Sequence, residues 1–364
     1  MSTRFSPTSI TEKSRPLPNP DGRKSSKTTL IVSCEARRSL ISKTDTIHGL
    51  VLSDQGVSVT ILNLGCITQE WRVPLGDQQV SAVLGYANAE DYRHNPAFMG
   101  AIVGRVANRI RDAAFQLDGQ SYALSANEGA HMLHGGPLGL SQRFWDMEAD
   151  AGSVLLRLRS EDGDQGFPGT VDFEVRISLN GDRLTYDMTA AVDRPTPIAL
   201  AQHNYYALGA SQGMQGASLQ INADHTTPTD ADMIPNGDIT PVSGTRFDFA
   251  ASRSLHDADP DGQGYDQNYV LNAGTPAARI QTSNGLCLEL ETDQPGLQLY
   301  SAQHLSRVHA PLPGQEHGPY AGLCLEPQTF PNAINTASFG NIITTPDAPY
   351  HQRLSVRIFV QGPQ

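Results

Sequence analysis

From His48 onward the chain reads as short apolar runs, rich in β-branched residues and broken by Gly, Asp or Asn. Gly49-Leu-Val-Leu, Val57-Ser-Val-Thr-Ile-Leu, Ile67-Thr-Gln-Glu-Trp-Arg-Val and Val80-Ser-Ala-Val-Leu open the series. Val171-Asp-Phe-Glu-Val-Arg-Ile-Ser-Leu alternates apolar and polar over its whole length, the period-two signature of a half-buried strand. Asp118-Gly119 and Asn180-Gly181 separate such runs and predict tight hairpins. Further runs at 218–221, 269–271, 278–283, 286–292, 297–300, 322–326 and 353–360 continue the pattern. No long amphipathic helical period is present, and a short helix near Asn88–Asp91 is the one helical candidate of note. Many strands joined by short turns predict an all-β fold. The length of this body favours a single large antiparallel β-sandwich of two packed sheets with few short helices, and the lack of a fixed internal repeat argues against a propeller.

Residues 1–45 differ in kind. They hold nine Lys/Arg and four Asp/Glu, against 17 and 34 in the rest, and are rich in Ser, Thr and Pro. They predict a disordered N-terminal extension, leaving 46–364 as the folded domain. The formal net charge of -12 argues against nucleic acid and anionic membrane as partners, since both reward a basic face. No apolar run is long enough for a membrane span. Cys34, Cys66, Cys287 and Cys324 form no CxxC, and the last three sit in apolar runs, which fits reduced buried thiols and a cytoplasmic setting.

Candidate chemistry lies in six places. Glu326 follows the apolar run Gly322-Leu-Cys-Leu and precedes Pro327, which predicts a carboxylate held at a strand end. Arg105, Arg109 and Arg111 share a parity and would share a face of a regular strand. His131 and His134 precede Gly135-Gly136-Pro137, a loop open to close approach; no Cys, Asp or Glu beside them completes a metal set, so no metal is expected. His203 lies beside Tyr205 and Tyr206, an imidazole next to stacking surface. Asp266 and Gln298 add hydrogen-bonding groups near strands. No Ser nucleophile elbow or phosphate-cradling Gly loop is present. The set favours proton transfer on a neutral, hydroxyl-rich molecule.

Six stretches in order resemble the aldose 1-epimerase family: Gly104-Arg-Val-Ala-Asn-Arg-Ile110, Leu133-His-Gly-Gly136, His203 with Tyr205-Tyr206, Tyr265-Asp-Gln-Asn-Tyr269, Pro295-Gly-Leu-Gln298, and Leu325-Glu-Pro-Gln328 with Pro331 and Asn335. The resemblance implies a galactose mutarotase-like supersandwich that interconverts sugar anomers without cofactor or metal. It implies Glu326 as general base, His203 as general acid, and Asn108, Arg109, His134, Asp266 and Gln298 as sugar holders. A small-molecule sugar is then the partner, with a monomer as default and a dimer left open. Asn332 stands where the family usually has Asp, which suggests a lower Glu326 pKa than in such a relative. Ala207 stands where the family usually has Asn, which suggests altered packing behind His203. Three rival readings stay open: a non-catalytic sugar-binding domain, a hexose-phosphate epimerase using Arg105 or Arg111, and a glycoside hydrolase pairing Glu326 with Glu289 or Glu291.

Overall fold

The computed structural model describes residues 46–210, 213–307 and 310–361, so the expected N-terminal extension and Cys34 lie outside the described residues. The pattern of short runs folds as expected into antiparallel sheets. Nine strands form the largest, in the order Asp146–Asp150, Ser153–Ser160, Val171–Asn180, Arg183–Val192, Tyr350–Val360, Leu286–Thr292, Ala278–Gln281, Ser218–Ile221 and Arg253–Ser254. A six-stranded sheet runs Tyr205–Tyr206, Leu323–Gln328, Gly296–Tyr300, Asp266–Leu271, Ala223–Thr226 and Thr240–Pro241. A four-stranded meander, Gly49–Asp54 to Gln78–Ser81, adds a third sheet. Val175, Leu288 and Leu354 of the first sheet, Leu297, Leu299 and Leu325 of the second, and Val59 and Trp71 of the third share one core. The short helix near Asn88 is a 3-10 turn, Ala89–Arg93, capped by the Asn88 side chain accepting from the Glu90 N–H.

Both predicted hairpins form. Asp118 and Gly119 take the left-handed conformation between Ala114–Leu117 and Gln120–Ala123. At the second hairpin Asn180 is still paired, with Arg183, so the loop residues are Gly181 and Asp182.

Two expectations about strands change. The strand bearing Glu326 does not stop at Pro327 but runs to Gln328. Its neighbour Tyr205–Tyr206 pairs only with Cys324 and Leu323. Beyond Cys324 that side of the strand is unpaired, so a residue without an N–H breaks no rung there. The second change concerns Arg105, Arg109 and Arg111. Left-handed backbone at Asn108 and the 3-10 turn Arg111–Ala113 interrupt the alternation, and the three side chains part. Arg105 is buried and donates to Ser160 Oγ and to the carbonyls of Ser160, Glu161, Pro168 and Gly169. Arg111 pairs with Asp230 at the surface. Neither is free to hold a phosphate.

Arg105 therefore serves stability. Arg105→Ala strands several carbonyls, and at about 1 kcal/mol net per lost hydrogen bond the loss should reach about 3 kcal/mol or more. Urea unfolding monitored by circular dichroism measures this, and a variant as stable as the parent would contradict it.

Candidate active site

The side chains that matter converge through sheet register. Leu323, Leu325 and Pro327 alternate with Cys324, Glu326 and Gln328 along one strand. Leu323 and Leu325 enter the shared core, which turns Glu326 to the other face. Gln298 pairs directly with Glu326, and Asp266 pairs with Tyr300 one step along. Tyr205 is opposite Cys324. Continuing that register by two residues on each chain sets His203 opposite Glu326. His203 Nε2 is 3.7 Å from Glu326 Oε2, and both residues are almost fully buried.

Loops supply the remainder. Asn108 and His134 both adopt left-handed backbone. They grip each other: the His134 N–H donates to the Asn108 carbonyl and the Asn108 N–H donates to His134 Nδ1, at 3.0 and 3.1 Å. Asn108 Oδ1 accepts from the Arg109 N–H. Gly135 makes this possible, because a Cβ there would stand 1.8 Å from the Gly104 carbonyl. The His134 ring packs edge-on against His203, with centroids 5.2 Å apart, and Phe98 lies 4.7 Å from His134.

Together these groups line a cleft of about 350 Å³. Asn108, Arg109, His134, His203, Tyr205, Asp266, Gln298 and Glu326 all face it. Tyr206 does not, contrary to expectation. It is fully buried in the core because it follows Tyr205 in the same strand and points to the opposite face. Glu289 and Glu291 lie on the nine-stranded sheet, where they pair with Arg279 and Arg183, so neither is a partner carboxylate for Glu326. His131 lies off the cleft, between Asp112 and Asp232. Asn332 is buried outside the lining, and its side chain accepts from the Arg111 N–H. Asn332 is neutral, and the charges acting on Glu326 come from Asp266 and Arg109. Ala207 packs in a small cluster with Tyr205 and Cys324. Glu128, Phe98, Tyr300 and His304 also line the cleft and were not singled out from sequence. Glu128 carried no local signal, since its partner Arg109 is distant in sequence.

Electrostatics follow from burial. Desolvation, with Asp266 adding and Arg109 opposing, pushes the Glu326 carboxyl well above the usual carboxylate range. Burial pulls the His203 imidazole down to about 4, its own carbonyl opposing. Burial, with His203 and Arg109, holds His134 well below 6.5. Asp266 is raised by burial, which Arg109 and Gln298 partly offset. Glu326 Oε2 and Gln298 Oε1 are buried acceptors without a hydrogen-bond partner, so a hydroxyl-bearing ligand would satisfy groups that are costly to leave bare.

Among the described residues, His134, His203 and Glu326 are close enough to share a cation, with ligand atoms within 4.8 Å of one another. The donor set fits one poorly. A neutral His134 accepting at Nδ1 carries its proton on Nε2, so neither nitrogen offers a free lone pair.

The family model for aldose 1-epimerase matches residues 49–357. The chain belongs to the aldose 1-epimerase family. It is 32% identical to a galactose mutarotase of Sus scrofa over 86% of this chain and 94% of that one. It is 36% identical to an aldose 1-epimerase of Escherichia coli K12 over 78% and 86% of the two chains. Among solved structures, an aldose epimerase homologue from C. elegans superposes with a TM-score of 0.83 at 27% identity, covering 87% of this chain and all of that one. A galactose 1-epimerase from Lactobacillus acidophilus gives 0.80 at 27% identity, covering 93% of this chain and all of that one. The family match spans the three sheets, short of the last three residues of Tyr350–Val360, and every cleft residue named above.

The two cleft histidines have opposite demands on pH from Glu326. Their lowered pKa values mean that their share of stability is whole above pH 6.5 and is lost as pH falls through about 4 for His203. In 15N-detected NMR at pH 6, both rings should be neutral, His134 with Nδ1 bare and Nε2 protonated. An imidazolium signal for His134 at that pH would refute the assignment.

Proposed function

We propose that the protein is an aldose 1-epimerase, an isomerase that interconverts the α and β anomers of a free aldohexose such as galactose or glucose. The facing of His203 Nε2 and Glu326 Oε2 across 3.7 Å in a buried cleft carries this reading. Two proton-transfer groups and several hydroxyl partners are what ring opening needs, and no redox or phosphoryl chemistry enters the overall reaction.

The reactive form needs a carboxylate at Glu326 and an imidazolium at His203. Burial alone favours neutral forms, with the pair's proton on Glu326. Moving that proton from Oε2 to Nε2 creates the reactive pair without changing its proton count. Sugar hydroxyls donating into the cleft favour the carboxylate. Glu326 then takes the proton from the anomeric hydroxyl as His203 gives one to the ring oxygen. The bond between the anomeric carbon and the ring oxygen breaks, leaving an open-chain aldehyde. Rotation about the first carbon–carbon bond presents the other face. The ring oxygen attacks it, returns its proton to His203, and the new anomeric oxygen recovers one from Glu326. Asn108, Arg109, His134 and Gln298 hold hydroxyls through this cycle, Asp266 accepts one, and the Tyr205 ring, 5.2 Å from His203, walls the cleft.

A neutral sugar fits the charges. Arg109 is the one Lys or Arg lining the cleft among the described residues, and Glu128 already pairs with it. The buried, unpaired thiols Cys66, Cys287 and Cys324 are consistent with a cytoplasmic setting, and no helix among the described residues is long and apolar enough to cross a membrane. A monomer remains the working expectation, with no nucleic acid or membrane partner.

Polarimetry on freshly dissolved α-aldoses tests the activity. Glu326→Gln and His203→Asn should each lower kcat by about 100-fold or more, the typical worth of a proton-transfer group. Parent-like mutarotation by purified Glu326→Gln would sink the assignment. Asp266→Asn removes a negative charge that raises the Glu326 pKa, so the pH profile of kcat/KM should move to lower pH as well as fall in height. An unmoved acidic limb would show that Asp266 does not act on the pair through its charge.

A further inference from the structure

We propose that Glu128 positions Arg109 and screens anionic sugars out of the cleft. This rests on the epimerase reading and goes beyond it to a specificity determinant. Glu128 Oε2 accepts from Arg109 Nε at 2.6 Å and Oε1 accepts from Nη2 at 2.9 Å. The bidentate pair uses one full edge of the guanidinium. Nη1 is left facing Asp266, 3.9 Å from its Oδ2, on the side where hydroxyls are held.

The order of burial places Glu128 outermost. Its side chain is 38% exposed against 12% for that of Arg109. The carboxylate thus caps the guanidinium where a ligand would approach it. Its own backbone is anchored, as the Glu128 N–H donates to the His131 carbonyl and His131 donates back. Neighbouring Asn127 ties the loop to Leu133 through two side-chain hydrogen bonds. Arg109 is therefore presented as an oriented hydrogen-bond donor whose Nε edge is filled and whose charge is offset by the Glu128 carboxylate. Asp266 and Glu326 add carboxyl groups to the same cleft. A sugar bearing a carboxylate or phosphate meets acceptors and a guanidinium whose charge Glu128 already offsets. Removing the Glu128 charge would open to the ligand the edge that Glu128 now fills.

The test uses the full-length chain, with Glu128→Gln and Glu128→Ala beside the parent. Initial mutarotation rates on galactose and galacturonate are read by polarimetry at low ionic strength, with spontaneous rates subtracted. Circular dichroism melting selects the folded variants, and Glu128→Gln, which keeps the side-chain volume, decides the matter where Glu128→Ala does not fold. For galactose, KM should rise by more than kcat falls, because Arg109 loses its orientation. The ratio of kcat/KM for galacturonate to that for galactose should rise by ~10-fold or more, the scale of one charge-assisted hydrogen bond. A ratio equal to the parent's in the folded variants overturns the proposal. A parent that mutarotates no aldose instead overturns the epimerase reading, so the two failures are distinguishable.

Discussion

Everything in the cleft depends on the burial of one carboxylate opposite one imidazole. Glu326 and His203 are nearly inaccessible to solvent, and their facing atoms stand 3.7 Å apart. A buried carboxyl without a partner is costly. The cost is one that a hydroxyl-bearing ligand in the cleft would offset, since Glu326 Oε2 has no hydrogen-bond partner. The strand Leu323–Gln328 makes this placement rigid. Its other face is locked into the main core by Leu323 and Leu325, so Glu326 cannot swing away without dislodging packed side chains. Groups on sheet strands are held more firmly than groups on loops.

The loops around this rigid floor show a different strategy. Asn108 and His134 sit in a backbone region that ordinary side chains avoid, yet each satisfies the other's main-chain groups. Such positions persist where the surroundings over-determine them. The consequence is chemical as well as geometric. The Asn108 N–H fixes which nitrogen of His134 carries its proton, and so makes the ring a donor to the cleft. Behind His203, Cys324 Sγ lies 3.7 Å from Nδ1 and leaves Nε2 to face Glu326. Both imidazoles are thus oriented by a neighbour at Nδ1.

Charge is distributed with equal economy. Arg105 and Arg111, which looked from their spacing like companions of Arg109, are spent on structure: one on loop carbonyls, the other on Asp230. Arg109 alone of the three reaches the cleft, and it arrives between Glu128 and Asp266. A site so arranged is polar without offering an anion a free cation. It suits a ligand whose recognition is by hydroxyl groups.

Much of this was legible in the sequence. Period-two alternation and the turn dipeptides determined an all-β antiparallel fold, because burying one face of a strand demands that pattern. Glu326, His203, Arg109, His134, Asp266 and Gln298 were visible as local chemistry, and the family resemblance added Asn108. Local pattern could not say which strands adjoin. Register across chain-distant strands set His203 opposite Glu326 and Gln298 beside it, and it separated Tyr205 in the cleft from Tyr206 in the core. Left-handed Asn108 and the 3-10 turn at Arg111 dispersed three arginines that parity would have aligned. Glu128 joined the site through a partner 19 residues away. Sequence determined which faces had to be buried; tertiary structure decided which polar groups met on the other side, since those meetings depend on long-range pairing that no local preference encodes.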